Sequence, residues 1–532
     1  MSRVKKFTIL IITICFAASL TGCDMIDRIK KRISEDTEQT ETDNNDDTKP
    51  VSNSISVGIM DFDTFNPLIT ASQTVKECAQ FVYEPLFEVD EKLIPVPVLA
   101  ESYTVSADGR VIDITLKNNV QWHNGAAFTA TDAAYTIKQV RSGITPYTDL
   151  LADMADYKAT GDYTLQIALK YAIPNFVSLL TFPIVQYQTD MRVNGAYIPV
   201  GTGPFRYEKQ LSSGRVSFTA FENYHNGRAQ IDNLYVYTVP DIKKYESMFE
   251  ANEIDLMTGE TVDLSEYTPR GSARNNDYLT NKMTFVGYNL RKSTLSGNET
   301  RKGLAELIDK DDIVNSVIYS RGRASDIPIN PSSIYYYDTN TRFKADYDLA
   351  SSCLGNDGWG LNGDGRYERA VHGTKEILSV EILTSSDSEE KVSIANRIAA
   401  GYNEFGIPAE VNALPYDSYM EKINAGDYDI MLGEIEIGAN LDLTPLVTSA
   451  GNYFAYRNPN VDMLIGQMGM TNDTEQLNSL FRQYGEILIE DMPFSVLFFR
   501  KGDVLSGAKL KSELIPSISR PFRNIENWSV TQ

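Results

Sequence analysis

Carboxylates follow directly on an apolar run in the segment YDIMLGEIEIGANLDLTPL, residues 428–446. The apolar run is typical of a buried strand, and Glu434, Glu436 and Asp442 come after it. A charge at the end of a buried strand needs a partner, because burying an unpaired charge costs several kcal/mol. That partner is either a basic side chain of the same protein or a cation that arrives from outside.

The first two of these carboxylates are predicted to project from one face of the strand. Successive side chains alternate between faces, so Glu434 and Glu436 point together while Gly433 and Ile435 point the other way. Ligands of open α/β sheets bind beyond the carboxyl ends of the strands. We therefore take Glu434 as the first candidate for binding a ligand, with a salt bridge to a lysine or arginine as the structural alternative.

The motifs of common catalysts are missing from the sequence. The three histidines, His123, His225 and His372, have no zinc-binding spacing, and neither G-x-S-x-G nor a phosphate-binding P-loop occurs. The acid-rich loop at 355–368 lacks calcium-ligand spacing and is interpreted as a hairpin turn. We expect a binding protein with no catalytic residue, metal or cofactor. A hydrolase using two of the 72 Asp and Glu carboxylates is the alternative.

The length and net charge of the chain further restrict its domain organisation and its kind of partner. A chain of 532 residues exceeds one hydrophobic core and indicates several domains. The formal net charge of −23 argues against a nucleic-acid partner, because such partners need a basic surface.

The amino terminus has the pattern of an exported lipoprotein. Basic residues precede the apolar run at 7–20, which is too short to span a bilayer, and LTGC at 20–23 resembles a bacterial lipobox. We expect a signal peptide at 1–22, a lipidated Cys23 and a disordered acidic tether at 23–50. The protein would then be anchored to the outer face of the cell membrane. Cys78 and Cys353 are expected to be buried thiols.

The elements that would hold the carboxylates are clearest between residues 376 and 437. Strands at 376–384, 408–414 and 428–434 alternate with helices at 389–406 and 416–426, which predicts a parallel sheet with crossover helices. Elsewhere, Thr129 with Asp132 forms a near capping box before an amphipathic helix.

Several stretches, taken in order, resemble bacterial extracellular solute-binding proteins of family 5, the oligopeptide, dipeptide and nickel branch that serves ABC importers. They are FNPLITASQTVKECAQFVYEPLFEVD, PVPVLAESYTVSADGRVIDITLKNNVQWHNGAAFTATDAAYTI, GTGPFRYEKQ, FENYHNG, IDNLYVYTVPD, NEIDLMTG and YNLRKSTLSGNETRKGLAELIDKDDIVNSVIYSRG. The resemblance covers roughly residues 52–510.

The resemblance implies an α/β fold of the two-lobe, type II periplasmic-binding-protein kind, with a hinge and an extra domain inserted in the first lobe. Domain I would comprise 51–72, 190–280 and 495–532, the inserted domain II 73–189, and domain III, the second lobe, 281–494.

The function implied by the resemblance is capture of short peptides by hinge closure and their delivery to an ABC importer permease. The protein would act as a monomer. Other cargo, such as a nickel chelate or an oligosaccharide, is the alternative within the same class.

Family members that bind peptides carry an aspartate, in a Gly-Trp-x-x-Asp-Tyr-x-Asp-Pro pattern, that pairs with the amino terminus of the peptide. The present sequence has Gly433-Glu434, no tryptophan, and NLDLTP in place of the second half. The resemblance therefore leaves the identity of the ammonium-binding group open. Glu434 is the first candidate because it stands where the parallel strand ends. Asp442 matches less directly, and Glu436 is a third candidate with solvation as its alternative.

The same resemblance indicates four more candidate ligand-binding residues. Tyr288 and Asn289 lie where the family runs a strand past the cleft, and Asn66 lies in a loop that faces the cleft. Ordinary strand and turn roles are their alternatives. Trp359 is a candidate for stacking on the ligand, with packing under a turn as the alternative.

Overall fold

The computed structural model of the protein describes residues 53–188, 192–193, 196–211, 214–258, 273–339 and 343–531. The expected signal peptide, Cys23 and the acidic tether lie outside these residues. Within the described part of the chain, no helix is both long enough and apolar enough to cross a membrane.

The strands are numbered here in chain order. They are β1 (Ser54–Met60), β2 (Phe87–Val89), β3 (Pro95–Pro97), β4 (Ala100–Val105), β5 (Val111–Leu116), β6 (Met154–Gly161), β7 (Thr164–Leu169), β8 (Arg192–Val193), β9 (Ala196–Tyr197), β10 (Phe205–Gln210), β11 (Arg215–Ala220), β12 (Asn233–Val239), β13 (Leu256–Thr258), β14 (Arg274–Tyr288), β15 (Gly322–Ala324), β16 (Gly360–Leu361), β17 (Tyr367–Val371), β18 (Thr374–Ile377), β19 (Val380–Ser385), β20 (Ala409–Leu414), β21 (Ile430–Glu436) and β22 (Phe494–Ser506).

The α-helices are numbered in the same way. They are α1 (Gln73–Ala79), α2 (Ala130–Arg141), α3 (Ile242–Glu250), α4 (Asn298–Glu306), α5 (Lys310–Asp312), α6 (Tyr347–Asn356), α7 (Glu389–Glu404), α8 (Tyr416–Ala425), α9 (Thr444–Val447), α10 (Pro459–Met468) and α11 (Thr474–Asp491). Helix α2 begins at the predicted capping box, in which the Thr129 backbone N–H donates to Asp132 Oδ2 at 2.9 Å.

One mixed sheet runs through both lobes. Among the described residues, eleven strands form it in the order β10-β11-β12-β1-β13-β22-β14-β21-β19-β20, with β15 beside β22. The long strands β14 and β22 pair antiparallel. One end of this pair joins β13 of the first lobe, and the other end joins β21 of the second lobe. Both strands therefore continue from one lobe into the other.

The parallel strands of the two lobes end toward each other. In the first lobe, β1 and β13 run in the direction of β14, toward the second lobe. In the second lobe, β21 runs antiparallel to β14, so β21 and its parallel neighbour β19 end toward the first lobe. Thr258 at the end of β13 pairs with Val504, and Glu436 at the end of β21 pairs with Lys282. Roughly four residues of β22, or ~13 Å, separate the two carboxyl edges.

A bulge interrupts the β14–β22 pair between these edges. Residues 280–282 of β14 lie opposite the single residue Arg500 of β22. Thr280 Oγ1 donates to the carbonyl of Arg500 at 2.9 Å, and the Asn330 side-chain amide donates to the carbonyl of Thr280 at 2.9 Å. Bulges bend a strand and increase its twist. The two strands that join the lobes are therefore irregular between the two carboxyl edges.

The segment expected as the inserted domain folds around a separate antiparallel sheet in the order β4-β5-β7-β6, with α2 against it. Ile114 and Ile167 of this sheet lie in the same hydrophobic cluster as Val57 and Leu234 of the main sheet. Because the two parts share one core, their boundaries in sequence stay predictions.

The predicted alternation of strands and helices between 376 and 437 is confirmed. Strand β19 is parallel to both β20 and β21, and α7 and α8 are the crossover helices. The prediction of one strand over 376–384 is wrong. Ile377 ends β18 in a hairpin with β17, whereas Val380 begins β19 and pairs with Ala409 of the main sheet.

Strand β21 extends two residues beyond its predicted end, because Glu434 and Glu436 pair with Thr284 and Lys282 of β14. The predicted alternation of faces holds. Ile435 packs with one hydrophobic cluster, whereas Leu432 belongs to another.

Two smaller predictions are also confirmed. Cys78 and Cys353 are both buried and free. The acid-rich loop at 355–368 contains the β16–β17 hairpin, in which Gly360 pairs with Glu368.

Candidate functional site

A cavity of about 380 Å³ opens at the carboxyl edge of the second lobe. Its walls are the end of β21, the loop that follows β19, the first turn of α7, and the face of α8 that carries Tyr416 and Tyr419. Its position agrees with the rule that ligands of α/β sheets bind beyond the carboxyl ends of parallel strands. We take this cavity as the candidate site.

Gly433 allows the wall of the cavity to pack closely. A Cβ atom at this position would lie 2.5 Å from Cζ of Phe285 and 3.0 Å from Cε of Met431, much closer than carbon atoms normally approach. The ring of Phe285 therefore lies against the backbone of β21. The glycine that interrupts the apolar run in the sequence thus has a packing role beside the cavity.

Glu434 lies at the mouth of the cavity and has basic partners within the protein. Arg500 Nε and Thr284 Oγ1, the latter at 3.3 Å, donate to its carboxylate, and Lys391 Nζ lies 3.4 Å from Oε1. Glu390 shares the guanidinium of Arg500. The four charges of Glu434, Glu390, Arg500 and Lys391 sum to zero. We call these residues the edge cluster.

The electrostatics of Glu434 follow from these neighbours. Burial acts to raise the pKa of this carboxyl, but the charges of Arg500 and Lys391 outweigh it and hold the pKa below its usual value. Glu434 is thus ionised at neutral pH, and 23% of its side chain is exposed. The internal salt bridge, which the sequence left as the alternative, is formed.

The other two candidate carboxylates have different surroundings. Glu436 is exposed, and no ion pair or side-chain hydrogen bond of Glu436 is found among the described residues. Asp442 is half-buried, and its Oδ1 accepts the backbone N–H of Thr444 at 2.8 Å, where the short helix α9 begins. Of the three acids, Glu436 is the one most available to a ligand.

Tyr288 and Asn289 lie at the opposite edge of the second-lobe sheet. Tyr288 pairs with Ile430, the first residue of β21, and both candidates are fully buried. The Asn289 amide donates to the carbonyls of Gly426 and Tyr428, at 2.9 and 2.8 Å. The structure does not bring these two side chains to the cavity, because β14 and β21 run in opposite directions.

Trp359 is also remote from the cavity. It is buried in a different hydrophobic cluster, where its indole N–H donates to Thr300 Oγ1 at 2.8 Å. The guanidinium of Arg369 covers its ring, with Cζ 4.2 Å from the centroid. These contacts correspond to the packing role.

Asn66 lies at the facing edge of the first lobe, in the loop that follows β1. Its Oδ1 accepts the backbone N–H of Leu68 at 3.1 Å, which forms the expected turn. Phe62 and Ile69 in the same loop have 40% and 50% of their surfaces exposed. This loop therefore presents apolar side chains on the first-lobe side of the cleft.

Sequence reasoning missed most of the cavity wall. Tyr416, Tyr419, Met420 and Ile423 recur at helical spacing in the sequence and form the α8 side of the cavity. That spacing could have identified them as one face. Arg500 gave no comparable signal, because it lies on a strand 66 residues from Glu434.

No metal site accompanies the cavity in the part of the chain that the structure describes, where no group of three or more His, Cys, Asp or Glu side chains is arranged to hold an ion. Two of the histidines are engaged elsewhere. His225 Nε2 lies 3.0 Å from Glu84, and His123 Nε2 lies 2.9 Å from the carbonyl of Gly203.

Comparisons with known proteins agree with this architecture. The model of the bacterial extracellular solute-binding proteins, family 5 Middle, matches residues 95–456. The chain is 23% identical to the oligopeptide-binding protein AppA of Bacillus subtilis (strain 168) over 496 residues, which cover 87% of this chain and 89% of AppA. It is 25% identical to the nickel-binding periplasmic protein of Escherichia coli (strain K12) over 424 residues, 75% of this chain and 80% of that protein.

A solved structure described as a nickel ABC transporter from Bacillus halodurans has the same fold. Its TM-score is 0.77 at 20% identity, and the match covers 90% of this chain and all of that one. The expected two-lobe, type II α/β fold is thereby confirmed. The family model matches well over half of the sequence. The chain belongs to the bacterial extracellular solute-binding proteins of family 5.

Proposed function

We propose that the protein captures short peptides between its two lobes and delivers them unchanged to the permease of an ABC importer. The observation that carries the proposal is the cavity of about 380 Å³ at the edge where the strands of the second lobe end toward the first. Its size lies in the range of sites for small ligands. The similarity to a B. subtilis protein named for oligopeptide binding supports peptides as the cargo.

Closure about the hinge would enclose the cargo. The two carboxyl edges face each other across a short stretch of β14 and β22, and the bulge lies between them. A bound ligand that contacts both edges favours the closed arrangement, because it has more contacts there than in the open one.

The acids at the end of β21 and in the loop after it suit the amino terminus of a peptide, and one of them, Glu434, lines the cavity. We propose Glu436 as the group that meets the ammonium, ahead of Glu434 and Asp442. At Glu434 an incoming ammonium would compete with Arg500 and Lys391, which already lie against the carboxylate. Glu436 projects from the same face of β21, two residues further along, and is exposed.

The cellular setting follows from the sequence and from the family. We propose that the protein is exported, anchored at the outer face of the membrane by lipidated Cys23, held off the surface by the acidic tether, and monomeric. The extracellular character of the family supports export. The basic residues, apolar run and LTGC at the amino terminus support the anchor.

Native mass spectrometry of the protein purified from its own host tests the cargo. We expect a stoichiometric peptide that is recovered intact and that raises the melting temperature when added back to the stripped protein. A bound nickel chelate or oligosaccharide would replace the peptide as cargo. Hydrolysis of the added peptide would overturn the proposal in favour of an enzyme that uses two carboxylates.

A further inference from the structure

We propose that the second-lobe cavity is a specificity pocket for one large uncharged side chain of the cargo, aromatic or aliphatic. This inference rests on the proposed function and names the class of peptide that the site selects. Peptides that carry such a residue would bind more tightly than peptides that carry a charged or small residue at the same position.

The walls of the cavity are the first support. The apolar side chains of the lining include Phe285, Met420, Ile423, Ile435 and Leu446. Its polar and charged side chains are Ser385, Asp387, Ser388, Lys391 and Glu434. The apolar part of the wall offers dispersion contacts to a guest and no partner for a charge. Side chains that expose much apolar surface gain most from entering it.

Two tyrosines of α8, Tyr416 and Tyr419, line the cavity. Tyr419 is buried, and its hydroxyl donates to the carbonyl of Leu432 at 3.0 Å. Tyr416 has 55% of its surface exposed, and its ring centroid lies 6.2 Å from that of Tyr419. Aromatic faces of this kind favour stacking with another ring.

The charges around the mouth are the second support. The edge cluster is neutral, and its members already contact one another. Asp387, which also lines the cavity, accepts the backbone N–H of Tyr416 at 3.2 Å through Oδ2. A lysine or glutamate side chain entering the cavity would lose water and compete for partners that are already paired. The pairing of these charges thus selects against charged guests.

The volume is the third support. Water occupies about 30 Å³ per molecule in the liquid, so a cavity of about 380 Å³ corresponds to on the order of ten waters. Waters against an apolar wall lack hydrogen-bond partners on one side. Their displacement by an apolar group favours binding. A small side chain such as alanine would leave most of them in place.

Calorimetric titration with matched pentapeptides tests the inference. The probes are penta-alanine and the same peptide with one Phe, Leu, Lys or Glu, placed in turn at each position. We expect the best Phe or Leu peptide to bind at least about tenfold more tightly than penta-alanine and than every Lys or Glu peptide. Equal affinities for all probes would overturn the specificity pocket and leave the proposed function intact. Absence of binding by any probe at millimolar concentration would overturn both.

Variants locate the preference in the cavity. Ile435→Trp fills the space from β21, so we expect the ratio of Phe-peptide to Ala-peptide affinity to fall toward one. Met420→Ala removes part of the opposite wall and should lower the same ratio, which gives a second test if the tryptophan is not accommodated. The control is Ile377→Trp, at a 41% exposed position in the β17–β18 hairpin, which should preserve the ratio. A ratio unchanged in both cavity variants would place the preference elsewhere and overturn the inference.

Discussion

Two clusters of acids and cations, one in the first lobe and one at the cleft, look alike in composition and differ in surroundings. In the first lobe, Arg520 and Arg523 hold Glu88, whose side chain is only 8% exposed, at 3.0 and 2.8 Å. The edge cluster of the second lobe borders an open cavity, and Glu434 is 23% exposed.

Carboxylates with internal partners therefore do not by themselves mark a ligand site. The first-lobe cluster also includes Glu84, which accepts the Tyr224 hydroxyl at 2.8 Å and has His225 at 3.0 Å. Burial acts to raise the pKa of Glu84, but His225 and Arg520 hold it below its usual value, the same direction as for Glu434. What distinguishes the cleft is the cavity and the neighbouring exposed Glu436.

The first prediction concerns how much the buried first-lobe cluster contributes to the free energy of unfolding. Glu88→Gln removes the buried carboxylate that pairs directly with both Arg520 and Arg523, so we expect the free energy of unfolding to fall by about 3–5 kcal/mol. Urea denaturation measures it. The matched control is Glu91→Gln, because Glu91 pairs with the same Arg523 at 2.9 Å but is 47% exposed, and it should cost about 0–1 kcal/mol. Equal losses in the two variants would contradict the expected difference between a buried and an exposed ion pair.

The second prediction concerns Arg500 of the edge cluster. Arg500→Met leaves Glu434 and Glu390 without their shared cation, and we expect a loss of about 1–3 kcal/mol in the free energy of unfolding. The same change should raise the pKa of Glu434, followed by NMR titration of the carboxyl. Arg397→Met is the control, because Arg397 is 56% exposed in its pair with Asp312. A Glu434 pKa unaffected by the loss of Arg500 would contradict the electrostatic account.

The third prediction asks which edge carboxylate meets the cargo. Glu436→Gln should weaken peptide binding by about tenfold, since a charge-assisted hydrogen bond is lost. Glu434→Gln should weaken it less, because its charge is already paired. Calorimetry of the intact protein gives both values, with Glu410→Gln on the exposed amino-terminal end of β20 as the control. A larger effect at Glu434 than at Glu436 would reverse the assignment.

The smallest expected effect is a change in acid stability. The folded pKa of Glu434 lies below the usual value of 4.5, so its contribution is present above that value and is lost as the pH falls through the folded pKa. Glu434→Gln should therefore flatten the decline in unfolding free energy below pH 4.5, by about 1 kcal/mol or less. Urea denaturation from pH 6 to pH 3 checks the slope. A steeper decline in the variant would contradict the direction of the shift.

Local sequence patterns predicted the strands and helices around the site. Which side chains meet there depends on pairing between segments that are distant in sequence. The alternation of strand and helix patterns between 376 and 437 predicted the parallel strands and crossover helices. The two-residue repeat of side chains along a strand placed Glu434 and Glu436 on one face. No pattern indicates that a strand 66 residues away supplies Arg500 to Glu434. Tyr288 and Asn289 could not be assigned to an edge without the antiparallel direction of β14 and β21. The cavity itself depends on how α8 packs across β21, which is a property of the assembled lobe.

The bulge opposite Arg500 has a mechanical consequence. Residues 280–282 are outside the regular ladder between β14 and β22, and a second irregularity follows between Thr284 and Phe285. We expect a rotation of one lobe against the other to be taken up as torsion over this irregular stretch, residues 280–285, rather than in the regular pairs before it. The regular pairs from Arg274 to Leu279 would then keep their register. The contacts made with the cargo are then available for holding it, since little free energy is needed to deform the sheet.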